Sequence, residues 1–424
     1  MLKTPSQKQL LFIVIVLLFL NLLMSSKFVG RNKLSTNYTT KQKDIWKDDI
    51  TSNRTGFASL VRHIMEVEPL TNDKIPNSKR KSFTQCDEIS NDEAINYFGN
   101  VTSSMKNWTF QNKISCPTRI IGNTFTNKSR RMFSIRCTYT SVKSRYTYTI
   151  NSDEVQEMKF GDQCLNRYIQ KCCLGEQRVP NVVHYVWYKR GELSFVPFLS
   201  LLGVIRFVKP CVIVFHGAAP YGKYWDAFTY LWPRVILLKR EAPVMISNKY
   251  LRHREHASDF MRIEALIKYG GIYMDTDTVL VKSVDKLRNY SCVMSEQSSG
   301  LMGSAFVMSE KNGTFVNKWM DGYRYNYIPE KYAYNAMVYP KKLKTTLKDH
   351  IHVEYATISR PVGMIGGTIY WNSNATYDWS YIYGIHLYSR IYKEPVNETT
   401  IRHMNFTFGS IARHVYYGNK ELCL

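Results

Sequence analysis

Tyr269-Gly270-Gly271-Ile272-Tyr273-Met274-Asp275-Thr276-Asp277-Thr278-Val279-Leu280 is the stretch that decides the fold. Two glycines close a helix, a short apolar strand follows, and two aspartates one residue apart are expected to lie in it. Residues i and i+2 of a strand share a face, so Asp275 and Asp277 are expected to converge on one hard cation. Oxygen ligands of this kind suit Mn²⁺ or Mg²⁺, which bridge carboxylates to substrate phosphates.

Competing readings of the acidic pair can be tested on its surroundings. An EF-hand loop starting at Asp275 needs Gly at its sixth position and Glu at its twelfth; Leu280 and Lys286 stand there. A haloacid dehalogenase-type phosphotransferase also places Asp-x-Asp after an apolar strand. It wants a Gly-Asp pair downstream, and the chain's one such pair, Gly161-Asp162, lies upstream. Two solvated turn aspartates fit poorly with the apolar flanks Ile272, Met274, Val279, Leu280 and Val281.

Upstream, Ser258 reads as the N-cap of a helix with Ile263, Leu266 and Ile267 on its apolar side and Gly270 at its stop. Asp259 and Arg262 then share a face in the first turn, either as a surface ion pair or as a polar pair facing an anionic nucleotide. Ser258-Asp259-x-x-Arg262 followed by Tyr269-Gly270-Gly271-Ile272-Tyr273-x-Asp275-x-Asp277 resembles the DXD region of glycosyltransferase family 32, whose members include α-1,4-galactosyl- and α-1,4-N-acetylglucosaminyltransferases. The likeness runs from about Val179 to the C-terminus. It implies a GT-A-like nucleotide-diphospho-sugar transferase fold. It also implies an enzyme that moves a hexose or N-acetylhexosamine from a UDP-sugar to a glycan or glycolipid hydroxyl, with retention of configuration.

The resemblance also assigns residues. Asp275 and Asp277 become metal ligands and catalytic groups. Asp259, Arg262, Gly271 and Tyr273 fall at the donor, and His184 falls near the nucleotide, although a lone His in an apolar strand is more often a core residue. Glu296-Gln297 corresponds to a polar pair near the reacting sugar, and Asn335 to a position facing the acceptor. Gly384-Ile385-His386-Leu387-Tyr388 resembles a late Val-His-x-Trp segment, making His386 a phosphate or metal contact. The galactosyltransferases' Asn-Gly-Ala-Phe is here Gly303-Ser304-Ala305-Phe306. Its missing Asn keeps an alternative open, a catalytically inactive lumenal glycan-binding relative.

The pattern from Val179 onward alternates strands and helices, which predicts an α/β domain with a mostly parallel sheet. Strands are expected at 182–188, 211–215 and 235–238, and helices at 195–207, 224–231 and 258–269. Residues 83–178 hold six of the nine cysteines and read as a small cysteine-rich region able to form up to three disulfides. Residues 27–82 are polar and read as a stem.

Leu10–Met24 is apolar apart from Asn21. Fifteen helical residues rise about 22 Å, short of a bilayer core, so 1–26 reads as a short signal-anchor or a signal peptide. Ten Asn-x-Ser/Thr sequons follow it, from Asn37 to Asn405, and point to the secretory lumen. The expectation is a type II Golgi membrane protein. The net charge of +23 is spread along the chain without a basic tail, which argues against nucleic acid as a partner.

Overall fold

The computed structural model describes residues 155–424, apart from 189, 298–299, 356, 359–369, 372–376, 390–391, 393 and 424, together with a few earlier strands. The expected anchor and stem, and most of the cysteine-rich region, lie outside the described residues. Among them, no helix is long and apolar enough to cross a membrane. Of the earlier strands, Lys81–Thr84, Arg136–Thr140 and Arg145–Thr149 form an antiparallel sheet, and Lys113–Ile114 pairs with Leu422–Cys423.

The main body is built on one eight-stranded sheet. In chain order its first strands and helices are β1 (Gln156–Met158), α1 (Gln163–Tyr168), β2 (Val182–Trp187), α2 (Phe195–Phe207), β3 (Val212–Gly217), α3 (Lys223–Leu231) and β4 (Val235–Leu238). Next come α4 (Arg254–Tyr269), β5 (Gly271–Met274), β6 (Thr278–Leu280), β7 (Cys292–Glu296), β8 (Met302–Ser309) and α5 (Thr314–Asn326). The last are α6 (Tyr339–Thr346), β9 (His352–Glu354), β10 (Gly384–His386) and α7 (Thr407–Tyr417).

Across the sheet the order is β9-β7-β8-β5-β2-β3-β4-β1, and β8 runs against the other seven. The expected mainly parallel α/β sheet is therefore present. β2, β3 and β4 are buried nearly throughout, as continuous runs such as Val212-Ile213-Val214-Phe215 require when helices cover both faces. Helix α2, apolar on all sides, fills the space between this sheet and the short β6/β10 pair.

One expected boundary is corrected. A domain start at 179 fails, because β1 is the outer strand of the sheet and pairs in parallel with β4. Cys173 bonds Cys211, tying the segment before β2 to the start of β3. Cys292 is free and buried, and burial pushes its thiol pKa up.

Candidate functional site

Helix α4 begins at Arg254 with His253 as its N-cap, so Ser258 is an interior residue and not the cap. The tail of the helix behaves as the sequence dictates. Gly270 at φ +68° stops it, and Gly271 at φ +113° starts β5 against β2. A Cβ on Gly271 would stand 2.6 Å from the Val182 carbonyl oxygen, so a side chain there would push the two strands apart. Gly271 therefore serves strand packing.

Asp275 and Asp277 lie just beyond β5, in the turn before β6, and not in a strand as expected. The Asp275 amide still donates to Ala305 O at 2.8 Å, but the Thr278 amide turns back to Asp275 O at 2.9 Å. The chain then leaves the large sheet, and β6 pairs antiparallel with β10, Thr278 opposite His386. This switch, not strand alternation, brings the two carboxylates together. It also brings His386, whose Nε2 lies 3.1 Å from Asp277 Oδ1 and 3.9 Å from Asp275 Oδ2.

The three side chains have ligand atoms within 4.8 Å of one another. Two carboxylates and an imidazole form a donor set suited to Mn²⁺ or Mg²⁺, and all three are partly buried at the C-terminal end of a central strand. Asp277 is further fixed by Ser389, whose amide and hydroxyl reach Oδ2 at 3.0 and 3.3 Å. Burial would raise its pKa, but His386 and the Ser389 donors hold it at about 2. Burial lowers that of His386, and Asp277 and then Asp275 outweigh it, raising the imidazole above its usual value. Ser389 was not foreseen; no local pattern marks a serine 112 residues away as an aspartate's partner.

Arg262, Asp259 and Tyr273 form the wall behind Asp275. Arg262 and Asp259 are both buried, 2.9 Å apart, which sets aside the surface ion pair among the two readings of their spacing. The Arg262 guanidinium also reaches Asp275 Oδ1 at 3.3 Å and Ser304 O at 2.6 Å, and packs over the Tyr273 ring. Tyr273 Oη donates to Asp275 Oδ1 at 2.6 Å. Burial pushes the Asp259 carboxyl up to about 6 against the opposing pull of Arg262. Burial disfavours the charge on Arg262, yet Asp275, Tyr273 and Asp259 together raise its pKa. These residues aim Asp275 from within the fold.

His184 and Asn335 are corrected. His184 is wholly buried, with Nε2 donating to Gly270 O at 2.8 Å and Nδ1 3.0 Å from His216 Nε2. A carbonyl can only accept, so His184 Nδ1 accepts from His216, whose Nδ1 faces Arg240 at 3.3 Å. Both ring nitrogens are engaged inside the core. Asn335 donates to Gly322 O and Asn326 O and accepts from the Ile328 amide, so its amide is committed to the turn after α5.

Glu296 ends β7 and pairs with Lys344. Gln297 Nε2 reaches Tyr388 Oη at 3.4 Å, and that tyrosine packs on the His386 ring with centroids 4.0 Å apart. Gln297 is thus one side chain removed from the Asp275–Asp277–His386 cluster. A Cβ on Gly303 would come within 2.4 Å of Ser295 Oγ, so a side chain there would require that hydroxyl to move.

The architecture and the cluster define an α/β protein with a carboxylate–imidazole site at the C-terminal edge of a mainly parallel sheet. A family model described as "Glycosyltransferase sugar-binding region containing DXD motif" matches residues 231–294. The chain is 30% identical to glucan organizing enzyme 1 of Cryptococcus neoformans, over 34% of this chain and 44% of that one. It is 39% identical over 59 residues to human lactosylceramide 4-alpha-galactosyltransferase, 14% of this chain and 16% of that one. It thus spans less than half the length of these relatives. Among solved structures, PaToxG glycosyltransferase is similar at 16% identity and a TM-score of 0.30, over 45% of this chain and 76% of that one. Galactosyltransferase LgtC is similar at 13% and 0.28, over 56% and 95%. Residues 231–294 are thus similar to the sugar-binding region of DXD-containing glycosyltransferases.

Proposed function

We propose that this protein is a metal-dependent glycosyltransferase that moves a sugar from a UDP-sugar to a hydroxyl of a glycan or glycolipid, with retention. The convergence of Asp275, Asp277 and His386 at one point carries the reading. A divalent cation held there would supply positive charge to the departing diphosphate. Arg262 and Tyr273 fix Asp275, Ser389 fixes Asp277, and the β6/β10 pairing fixes His386 relative to both. Burial of this wall keeps water from the carboxylates' inner side, so the ligand set is formed before substrate arrives.

The test is binding and turnover together. Calorimetry should show Mn²⁺-dependent UDP binding by wild type, and a UDP-sugar panel should release UDP. Asp277→Asn should lose the Mn²⁺ dependence and about 4 kcal/mol of transition-state stabilisation, roughly a thousand-fold in rate. Unchanged Mn²⁺ binding in that variant would sink the metal assignment.

We further propose that the chain is a lumenal, type II Golgi membrane protein anchored through its apolar N-terminal segment. The ten sequons beyond that segment support it. Peptide-N-glycosidase should lower the mass of cell-expressed protein by several glycans; a protein with no occupied sequon contradicts the assignment.

A further inference from the structure

Residues 330–349 carry five lysines against two acidic residues, Glu330 and Asp349. Lys341 and Lys344 are three apart on α6 and so share a face. That face is turned toward the pole of the sheet that bears the metal-ligating cluster. Lys344 pairs with Glu296 at the end of β7, and Lys341 Nζ lies 3.2 Å from where a Cβ on Gly300 would stand. β7 runs in the same direction as β5 with β8 between them. Glu296 therefore ends at the Asp275 pole, about 10 Å across the sheet at the usual strand spacing. Gln297, Tyr388 and His386 bridge the interval.

The exposed surface around α6 carries cations and aromatic rings. Lys342 and Lys331 stand 5.2 and 5.7 Å from the centre of the Tyr334 ring, and Lys344 stands 5.6 Å from that of Tyr355. Tyr332 and Tyr355 are 43% and 56% exposed. Among the described residues, no carboxylate lies within ion-pair distance of Lys331, Lys341 or Lys342. Tyrosine rings offer flat apolar faces to sugar C–H groups, and unpaired ammonium groups offer counter-charge. A neutral hexose would need the first but not the second. A divalent cation held by Asp275, Asp277 and His386 would answer the donor's diphosphate, which would leave these lysines for another anion.

Resting on the transferase reading above, we propose that this lysine–tyrosine face receives an acceptor bearing a negative charge, a carboxylated or sulfated sugar, with its reacting hydroxyl toward the Asp275 cluster. The probes are tetragalacturonate and neutral galactotetraose, titrated into the full chain by calorimetry. Tetragalacturonate should bind at least ten-fold tighter, and Lys341→Gln/Lys342→Gln should abolish that preference while Mn²⁺–UDP affinity stays within two-fold. Equal binding of the two sugars overturns the proposal, as does an acidic preference that survives the double substitution. A parallel loss of Mn²⁺–UDP affinity overturns it in favour of a donor role. Vesicles containing phosphatidylserine form a third arm; lysine-dependent vesicle binding without tetragalacturonate binding overturns it in favour of a membrane-facing surface. Wild type that binds no Mn²⁺–UDP at all retires the transferase reading by itself, and the sugar arms still decide the lysine face.

Discussion

Arg262 answers two carboxylates at once, Asp259 at 2.9 Å and Asp275 at 3.3 Å, with all three groups wholly or partly removed from water. Removing one partner of a buried charge cluster leaves the others uncompensated, an effect of about 3–5 kcal/mol. Arg262→Ala should therefore lower stability by that amount in urea unfolding, and Asp259→Asn in the same chain should restore part of it. A loss below about 1 kcal/mol would mean that the pair is exposed in solution. In the sequence these residues show three-residue spacing on a helix and nothing more, since spacing reports which face they share and not what packs on it.

At the scale of elements, most strands and helices around the site follow from local pattern. The 195–207 helix and the 235–238 strand occur where periodicity and apolar runs put them. Helix α4 starts four residues before the expected Ser258 cap because no side-chain cap fixes its true start at His253. β1 escaped notice because a three-residue strand carries too little pattern to separate it from a loop. Its attachment is reinforced by Cys173–Cys211, which closes a 38-residue separation. A crosslink over that span contributes about 3–4 kcal/mol by restricting the unfolded chain. Cys173→Ser/Cys211→Ser should lose stability of that order in denaturant melts, with the sheet still formed by circular dichroism. No change would show that the bond does not persist in the expressed protein.

At the scale of the whole molecule, buried imidazoles set the acid limit. Burial lowers the pKa values of His184 and His414 to about 4, while an unfolded chain takes up these protons near the usual imidazole value of 6.5. The folded state thus binds the proton more weakly than the unfolded one. The corresponding stability is fully present above pH 6.5 and is lost as pH falls toward 4, by roughly 3 kcal/mol per group. Melting temperature should drop across that window, and His184→Asn should flatten the profile; a pH-independent melt from 7 to 4.5 would contradict the burial of both rings.

The sequence by itself determined the mainly parallel α/β sheet, the glycine-terminated helix leading into its central strand, and the candidacy of Asp275 and Asp277, while His386 entered only through the family resemblance. The sheet, the helix and the aspartate pair are consequences of backbone geometry and periodicity, which act over a few residues. Tertiary structure alone decided that the aspartates meet in a turn, that Ser389 and Arg262 hold them, and that His184 and Asn335 belong to the interior. Each of those outcomes depends on which distant backbone lies alongside, and strand pairing across more than a hundred residues leaves no trace in local pattern.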